Sequence, residues 1–441
     1  MYDVLLLAPP YKGMIREPIG LFYLAKILTR NNISVKIIDL NLDRMNEAKF
    51  NEYIKQLQPK ILGITSYTFN LYITLDILKG FKRNHPKITT VLGGVHASAL
   101  PKETLSEYSF IDYIVIGEGE FTFLELCQSI LNNESTEKIE GLAFRDDVAK
   151  INPPRKPLND LNLLQIPDRD PLNYSRYPVA LVQTSRGCPY SCIFCNICNY
   201  YDRTIRFRSP VIVADECEYL VNKHNYNQIF FFGDSFTFNH EWVELFCDEL
   251  IRRRLNFRWA CETRVDNVDL SILKKMKEAG CTSVQYGIDY GDETVLRNLG
   301  KHISIETIID AVNWAKASDL IVESFFIFNC PGEDQDTINN TFNLIQKTPI
   351  DALELNLLTP YPGTKIWSDP SSLGMKIIDR DFSQYTTKKF VIENEDFPRK
   401  KFIPAFRNLL KRLNLQTPDG SQPEILKFLE YEKTMKTWAG Y

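Results

Sequence analysis

The chain has 441 residues, of which 44% are hydrophobic and 24% charged, a composition typical of a folded protein with two or three domains. Its 52 Lys and Arg against 56 Asp and Glu give a net charge of -4, so no basic surface for nucleic acid is expected. The longest apolar runs, Val4–Pro10 and Ile229–Phe232, are too short for a membrane span. The N-terminus lacks the features of a signal peptide, and we therefore expect a cytoplasmic protein.

Residues 1–135 alternate short apolar runs with segments of helical periodicity. This alternation predicts βαβ units and a parallel sheet covered on both faces. The predicted strands are Tyr2–Ala8, Val35–Asp39, Ile61–Thr65, Thr89–Leu92 and Tyr113–Ile116. The predicted helices are Gly20–Asn31, Phe50–Leu57, Leu71–Arg83 and Phe121–Leu131.

Small, polar or glycine-rich loops follow four of these strands. They are Pro9-Pro10, Thr65-Ser66-Tyr67, Gly93-Gly94-Val95-His96 and Gly117-Glu118-Gly119-Glu120. Ligands of parallel sheets bind at the carboxyl ends of the strands, so these loops together favour a ligand site. No G-x-G-x-x-G follows the first strand, which disfavours a nicotinamide site.

Residues 136–178 are rich in proline and charge, as in Asn152–Pro157 and Ile166–Pro171, and we interpret them as a connector between domains. Residues 179–390 contain about six further βα units, which predict a complete or partial α/β barrel. The strands are predicted at Val179–Thr184, Ile229–Phe232, Phe257–Glu262, Ser283–Tyr286, Val322–Phe328 and Ala352–Leu358. Residues 391–441 are predicted to be a C-terminal helical region.

Four of the 10 cysteines lie in one short stretch, Cys188, Cys192, Cys195 and Cys198. The first three form C-x-x-x-C-x-x-C, and three thiolates on one loop can hold three irons of a cubane cluster and leave the fourth iron open. The alternative is a structural zinc site completed by Cys198, but no matching ligand pair follows. The cluster interpretation is therefore favoured. We interpret the six scattered cysteines as small buried hydrophobes.

The cysteine motif resembles the signature of radical S-adenosylmethionine (SAM) enzymes, C-x-x-x-C-x-aromatic-C, with Phe194 as the aromatic residue. Further similarity lies at Gly233-Asp234-Ser235, Ala279-Gly280-Cys281, Gly287-Ile288-Asp289 and Pro331-Gly332-Glu333. The resemblance implies a [4Fe-4S] cluster bound by Cys188, Cys192 and Cys195. Two departures are Asp289 in place of the usual Glu and Asn329 in place of the usual Gly.

The resemblance also implies which residues bind SAM. Phe194 would pack near the adenine, Gly233, Asp234 and Ser235 would meet the amino group, and Arg264 and Asp289 would contact the carboxylate and ribose. Core packing for Phe194, helix capping for Asp234 and Ser235, and structural ion pairs for Arg264 and Asp289 remain alternatives.

The N-terminal residues resemble the Rossmann-like cobalamin-binding domain that is fused to one branch of these enzymes. The similarity lies at Gly93–Ser98, Gly117–Glu120 and Gly141–Arg145. The motif D-x-H-x-x-G is absent, so a histidine ligand on the lower face of cobalamin is not expected. The candidate cobalamin-binding residues are Pro9, Pro10, Thr65, Ser66, Gly93, Gly94, His96, Gly117, Glu118, Gly119 and Glu120.

The implied chemistry is generation of a 5′-deoxyadenosyl radical from SAM, followed by cobalamin-dependent C-methylation of an unactivated carbon in a small natural-product or lipid precursor. Dehydration, rearrangement or cyclisation without methyl transfer is the first alternative, and a non-catalytic metal-binding scaffold is a distant one. The expected partners are a small-molecule substrate and an external electron donor such as flavodoxin or ferredoxin.

Overall fold

The computed structural model describes residues 2–10, 16–43, 45, 47–167, 169, 177–201, 203–233 and 235–413. The chain divides into two compact units. The first unit comprises Met1–Tyr177 and Asn199–Glu216, and the second comprises Pro178–Cys198 and Cys217–Tyr441.

The first unit contains a seven-stranded sheet in the order β2-β1-β3-β4-β5-β6-β7. Strands β1 to β5 pair in parallel, and all five residues of β1 are buried, as a sheet covered on both faces requires. Its strands are β1 (Val4–Ala8), β2 (Val35–Asp39), β3 (Ile61–Thr65), β4 (Thr89–Gly93), β5 (Tyr113–Val115), β6 (Leu142–Arg145) and β7 (Ala149–Ile151). Its first helices are α1 (Ile19–Arg30), α2 (Glu47–Leu57), α3 (Leu71–Asn84), α4 (Val95–Ala99), α5 (Pro101–Glu107) and α6 (Gly119–Asn132).

The predicted doubly wound α/β fold is confirmed, but the sheet extends beyond its parallel part. Strands β6 and β7 are antiparallel and lie in the segment that the sequence analysis treats as a connector. They have four and three residues, no helix separates them, and two of the three residues of β7 are exposed, so they lack the alternation by which the parallel strands are predicted. The first unit consequently extends through this segment to Tyr177.

A buried ionic network joins four segments of the first unit. Glu216 binds Arg169 at 2.9 Å and Arg208 at 2.7 Å, and Glu17 lies 3.4 Å from Arg169. All four side chains are completely buried. Arg208 also donates a hydrogen bond to the Tyr23 hydroxyl at 3.1 Å. Because buried charges need partners, this network fixes residues 199–216 to the first unit.

The second unit is a partial α/β barrel of six parallel strands in the order β15-β14-β13-β12-β11-β8. Burial alternates along β14, in which Val322 and Ser324 are buried whereas Glu323 between them is half-buried. The strands are β8 (Ala180–Gln183), β11 (Gln228–Phe232), β12 (Arg258–Thr263), β13 (Cys281–Asp289), β14 (Ile321–Phe328) and β15 (Ala352–Leu357), and two short strands, β9 (Ser185–Arg186) and β10 (Arg206–Phe207), follow β8.

Helices separate the barrel strands as predicted, and two additional helices of four residues lie after β8 and after β15. They are α7 (Ile197–Tyr200), α8 (Pro210–His224), α9 (His240–Arg253), α10 (Leu270–Glu278), α11 (Glu293–Asn298), α12 (Ile305–Ala317), α13 (Gln335–Lys347) and α14 (Lys365–Ser368). Side-chain caps begin several of them, for example Asn239, which accepts from the Trp242 amide, and Ser304, which accepts from the Thr307 amide.

Up to Leu413, where the described part of the chain ends, the C-terminal region is not entirely helical. A hairpin of β16 (Met375–Ile377) and β17 (Ile392–Asn394) precedes α15 (Arg399–Arg412). The hairpin is fixed to the end of β14 because Asn329 Nδ2 donates to Ile392 O at 2.7 Å. Helix α15 packs Phe406 against Phe328 with ring centroids 4.8 Å apart. Among the described residues, no helix is long and apolar enough to cross a membrane.

We predict that Glu216→Gln destabilises the protein by about 3–5 kcal/mol, because it removes a buried carboxylate that pairs with two buried guanidinium groups. The matched control is Glu218→Gln in the same helix, where Glu218 is 48% exposed and pairs with Arg253 at 3.0 Å. An exposed pair of that kind contributes less than about 1 kcal/mol. Denaturant unfolding of the three proteins measures the difference, and equal stabilities of the two variants would contradict the prediction.

Candidate functional site

The three-cysteine loop, residues 184–196, follows β8 in the second unit and is called the cluster loop. Cys188, Cys192 and Cys195 are half-buried, and none is in a disulfide. Burial raises the pKa of the Cys192 thiol, and Asp289 raises it further, while Lys301 and Arg264 act in the opposite direction. Among the described residues, no three His, Cys, Asp or Glu side chains form a site for one metal ion. The side chain of Cys198 lies outside the described part of the chain.

Two backbone hydrogen bonds, one to the amide and one to the carbonyl of Ile193, hold the cluster loop in place. The Ile193 amide donates to Leu299 O at 3.0 Å, and the Ile366 amide donates to Ile193 O at 3.1 Å. Within the loop, the Cys195 amide donates to Cys192 O at 3.2 Å. Phe194, between these anchored residues, is half-buried. The spacing of the cysteines is therefore held by the barrel rather than by the loop alone.

Two buried hydroxyl groups stand at the start of the cluster loop. Thr184 and Ser185 are at most 1% exposed, and neither hydroxyl has a hydrogen-bond partner in the described structure. Gly233, directly after β11, approaches them so closely that an added Cβ would lie 2.5 Å from Ser185 Oγ and 2.7 Å from Thr184 Oγ1. A larger residue at this position would displace the two hydroxyls. Buried hydroxyls without partners indicate a polar ligand site.

Polar contacts connect the next strand end to the cluster loop. Ser235 is fully buried and accepts a hydrogen bond from Asn267 Nδ2 at 2.9 Å. Asn267 Oδ1 accepts from the Tyr190 hydroxyl at 2.9 Å. Ser235 is therefore connected to the cluster loop through Asn267 and Tyr190. Asp234, predicted beside it, lies outside the described residues.

Arg264 is held in a fixed orientation above the cluster loop. Its guanidinium makes two 2.8 Å hydrogen bonds to Asp266 and lies 3.6 Å from the centre of the Tyr190 ring. Burial opposes the charge of Arg264, but the Asp266 carboxylate prevails and raises its pKa. The ion pair that we gave as an alternative for Arg264 is present in the structure.

Asp289 forms an ion pair with a residue that the sequence analysis did not identify. Lys301 Nζ lies 2.5 Å from Asp289 Oδ2 and also donates to Gly287 O. Both side chains are at most 9% exposed. Asp289 has a φ of 70°, in the left-handed region that Asp tolerates better than most residues. A lysine directly after Gly300 carries no spacing signal that would link it to Asp289.

In the first unit, the loops after β3 and β4 pack against each other at the predicted ligand edge. Gly94 has a φ of 96°, and an added Cβ would lie 2.5 Å from Ser66 O and 2.7 Å from Thr65 Oγ1. Ser66 is fully buried, its amide donates to Gly93 O at 3.0 Å, and its hydroxyl has no partner in the described structure. The order β2-β1-β3-β4-β5 places these loops beside the point where the strand order reverses, the usual ligand position in such sheets.

His96 and the loop after β1 complete this edge of the sheet. His96 is 2% exposed, its Nδ1 lies 3.2 Å from Thr68 Oγ1, and burial lowers its pKa to about 4, so the imidazole is neutral at pH 7. Pro9 O accepts a hydrogen bond from Asn41 Nδ2 at 3.3 Å, while Pro10 is half-buried. His96 therefore ties the loops after β3 and β4 together.

The loop after β5 is bound by residues from the segment that follows the cluster loop. The Tyr200 hydroxyl donates to Gly117 O at 2.8 Å, and Arg206 forms a buried ion pair with Glu118. Glu118 also accepts from the Leu158 amide at 3.1 Å. Helix α6 begins at Gly119, and Glu120 lies buried in its first turn. Sequence reasoning missed both Tyr200 and Arg206, because these contacts span about 80 residues or more of sequence.

The donor chemistry of the two sites fits the implied cofactors. Three thiols on one anchored loop suit an iron–sulfur cluster, and the hydroxyls of Thr184 and Ser185 supply hydrogen-bonding groups for a polar cosubstrate. In the first unit, the buried Ser66 hydroxyl, held in place by the close contact between Gly94 and the loop after β3, can form a hydrogen bond with a polar ligand.

Comparisons with known proteins agree with both sites. Residues 182–345 match the model of the radical SAM superfamily, and residues 13–127 match that of the B12 binding domain. An uncharacterized methyltransferase of Pyrococcus horikoshii is 30% identical over 92% of this chain and 90% of its own length. An anaerobic magnesium-protoporphyrin IX monomethyl ester cyclase of Rubrivivax gelatinosus is 27% identical over 93% of this chain and 77% of its own length.

The fold also has a close counterpart among solved structures. The radical SAM methyltransferase TsrM of Kitasatospora setae, solved with cobalamin and a [4Fe-4S] cluster, superposes with a TM-score of 0.75 at 20% identity, over 86% of this chain and 81% of its own. With the cysteine loop on a partial barrel and a B12-type sheet before it, the chain belongs to the radical SAM superfamily of enzymes, in the group that carries a B12 binding domain.

Proposed function

We propose that this protein is a cobalamin-dependent radical SAM methyltransferase that methylates an unactivated carbon of a small natural-product or lipid precursor. The observation that carries the proposal is the presence of two built polar sites in one chain: the anchored three-cysteine loop and the Ser66–Gly94 edge of the B12-type sheet. The methyltransferase of Pyrococcus horikoshii, similar over almost the whole chain, supports the same reaction class.

In the second unit, Cys188, Cys192 and Cys195 are the proposed ligands of a [4Fe-4S] cluster. When bound, the cluster and SAM supply a 5′-deoxyadenosyl radical that can take a hydrogen atom from carbon. Gly233 packs closely against the Thr184 and Ser185 hydroxyls. The proposed SAM contacts are Phe194, Gly233, Asp234, Ser235, Arg264 and Asp289.

Arg264 acts mainly through its fixed position. The guanidinium is oriented by Asp266 and by the Tyr190 ring, so little side-chain entropy is lost when it meets a carboxylate. The same Tyr190 is tied through Asn267 to Ser235, so the proposed carboxylate and amino contacts share one network.

In the first unit, the proposed cobalamin contacts come from four strand-end loops. They are Pro9, Pro10, Thr65, Ser66, Gly93, Gly94, His96, Gly117, Glu118, Gly119 and Glu120. His96 and Glu118 have protein partners already, and their proposed role is to hold the loops in place. Ser66 is the member with an unsatisfied buried hydroxyl.

An external low-potential donor such as flavodoxin or ferredoxin is the proposed electron source. The thiols of the cluster loop require a reducing compartment, and we propose that the protein acts in the cytoplasm.

We predict that the reconstituted enzyme, given SAM, hydroxocobalamin and titanium(III) citrate under exclusion of oxygen, forms both 5′-deoxyadenosine and S-adenosylhomocysteine. The first product reports cleavage at the cluster, and the second reports that the methyl group of SAM has been transferred. Chromatography with mass detection measures both. Formation of 5′-deoxyadenosine without any S-adenosylhomocysteine would contradict methyl transfer and favour dehydration, rearrangement or cyclisation.

We predict that Cys192→Ala abolishes 5′-deoxyadenosine formation and lowers the iron content below the roughly four irons of an intact cluster. The matched control is Cys247→Ala, because Cys247 is fully buried in α9 among apolar residues. That control should keep its iron and its activity, with a modest loss of stability. Iron analysis and product assay measure both variants, and an active Cys192→Ala protein would refute the proposed cluster.

We predict that Ser66→Ala weakens cobalamin binding about threefold to tenfold, the effect of one lost hydrogen bond. Because the Ser66 hydroxyl has no protein partner, its removal should leave the free energy of unfolding of the cobalamin-free protein unchanged or slightly higher. Ser324→Ala removes a comparable buried, unsatisfied hydroxyl from β14 and should leave cobalamin binding unchanged. Spectroscopic titration with hydroxocobalamin measures the affinity, and equal affinities of the two variants would contradict the assignment of Ser66.

A further inference from the structure

Lys301 is a buried cation at a position that no motif assigns. It follows α11 and the turn at Gly300, its side chain is 4% exposed, and its ammonium contacts Asp289 Oδ2 and Gly287 O. Gly287 itself allows this approach, since an added Cβ would lie 3.2 Å from Lys301 Nζ. Such a fully engaged ammonium has little freedom to move.

The turn that carries Lys301 is packed directly on the cluster loop. Leu299 O accepts the Ile193 amide at 3.0 Å. Gly300 has a φ of 73°, and an added Cβ would lie 2.7 Å from Ser191 O and 3.4 Å from the Cα of Cys192. Because the backbones touch at Gly300, Lys301 is held next to the middle cysteine of the motif.

The ion pair therefore places two opposite charges beside the segment that carries Cys192. Both side chains are at most 9% exposed. Charges buried in this way act in a medium of low dielectric constant, where their effect on a neighbouring group is larger than in water.

We propose that Lys301 and Asp289 are positioning residues that set the reduction potential of the iron–sulfur cluster from outside its ligand set. This inference rests on the cluster of the proposed function. Reduction adds one electron and therefore one negative charge to the cluster, which an adjacent cation stabilises and an adjacent anion opposes. Cluster potentials depend on local charge, hydrogen bonds to sulfur and solvent exposure.

The test is an EPR-monitored redox titration of the cluster in the reconstituted full-length protein without SAM. Lys301→Met leaves the Asp289 carboxylate alone and should lower the midpoint potential. Asp289→Asn leaves the ammonium alone and should raise it. Lys301→Arg keeps the positive charge and should restore a potential close to that of the wild type, whereas the double variant D289N/K301M should fall between the single variants.

The matched control is the Lys316–Asp351 ion pair of the same barrel, which is 2.7 Å long and about one third exposed. Lys316→Met and Asp351→Asn should leave the midpoint potential unchanged, because this pair is screened by solvent. Iron content measured on every variant shows that equal clusters are compared.

Opposite shifts in the two Lys301–Asp289 single variants support the proposal. Shifts in the same direction, which general disruption of the loop would produce, overturn it, and so do potentials equal to that of the wild type. If Lys301→Met assembles no cluster, the Asp289→Asn variant decides, because a potential at or below the wild-type value contradicts the assigned charge effect. Absence of a cluster from the wild-type protein would refute the proposed function instead.

Discussion

Close approach of backbones at a few glycines is the constraint on which both sites depend. Gly94 brings the loop after β4 onto Ser66, Gly233 brings the end of β11 onto Thr184 and Ser185, and Gly300 brings the turn after α11 onto the cluster loop. At each position an added Cβ would lie within 2.8 Å of a polar atom of the neighbouring loop. Side chains larger than hydrogen would separate the strand ends and remove the enclosed polar surface.

Enclosed polar surface of this kind has an energetic cost that the rest of the fold must offset. A buried hydroxyl without a partner costs about 1–3 kcal/mol relative to a satisfied one, and Ser66, Thr184 and Ser185 all carry such hydroxyls. The strands that precede them are correspondingly apolar, with every residue of β1 buried and Ile61 and Leu62 of β3 fully enclosed. A stable sheet thus supports strand ends that are individually unfavourable until a ligand satisfies them.

The sequence predicts most of the strands to within one or two residues, because parallel strands covered on both faces are continuous apolar runs. The candidate loops follow from topology, since the carboxyl ends of neighbouring parallel strands share one edge. Strands β6 and β7 escape prediction because they extend the sheet by antiparallel pairing, outside the alternation of strands and helices, and because β7 is largely exposed. The partner of Glu118 could not be predicted either, because Arg206 is 88 residues away and only the fold brings the two side chains together.

The cysteine motif could be predicted from the sequence, whereas the charged residues around it could not. Cys188, Cys192 and Cys195 lie within eight consecutive positions, so their common role is visible in the sequence alone. Lys301 is twelve residues from Asp289 and more than a hundred from Cys192, and its place beside them arises only because Gly300 lets two loops touch. The proposed cluster ligands are therefore visible in a local motif, whereas the charge around them is determined by the fold.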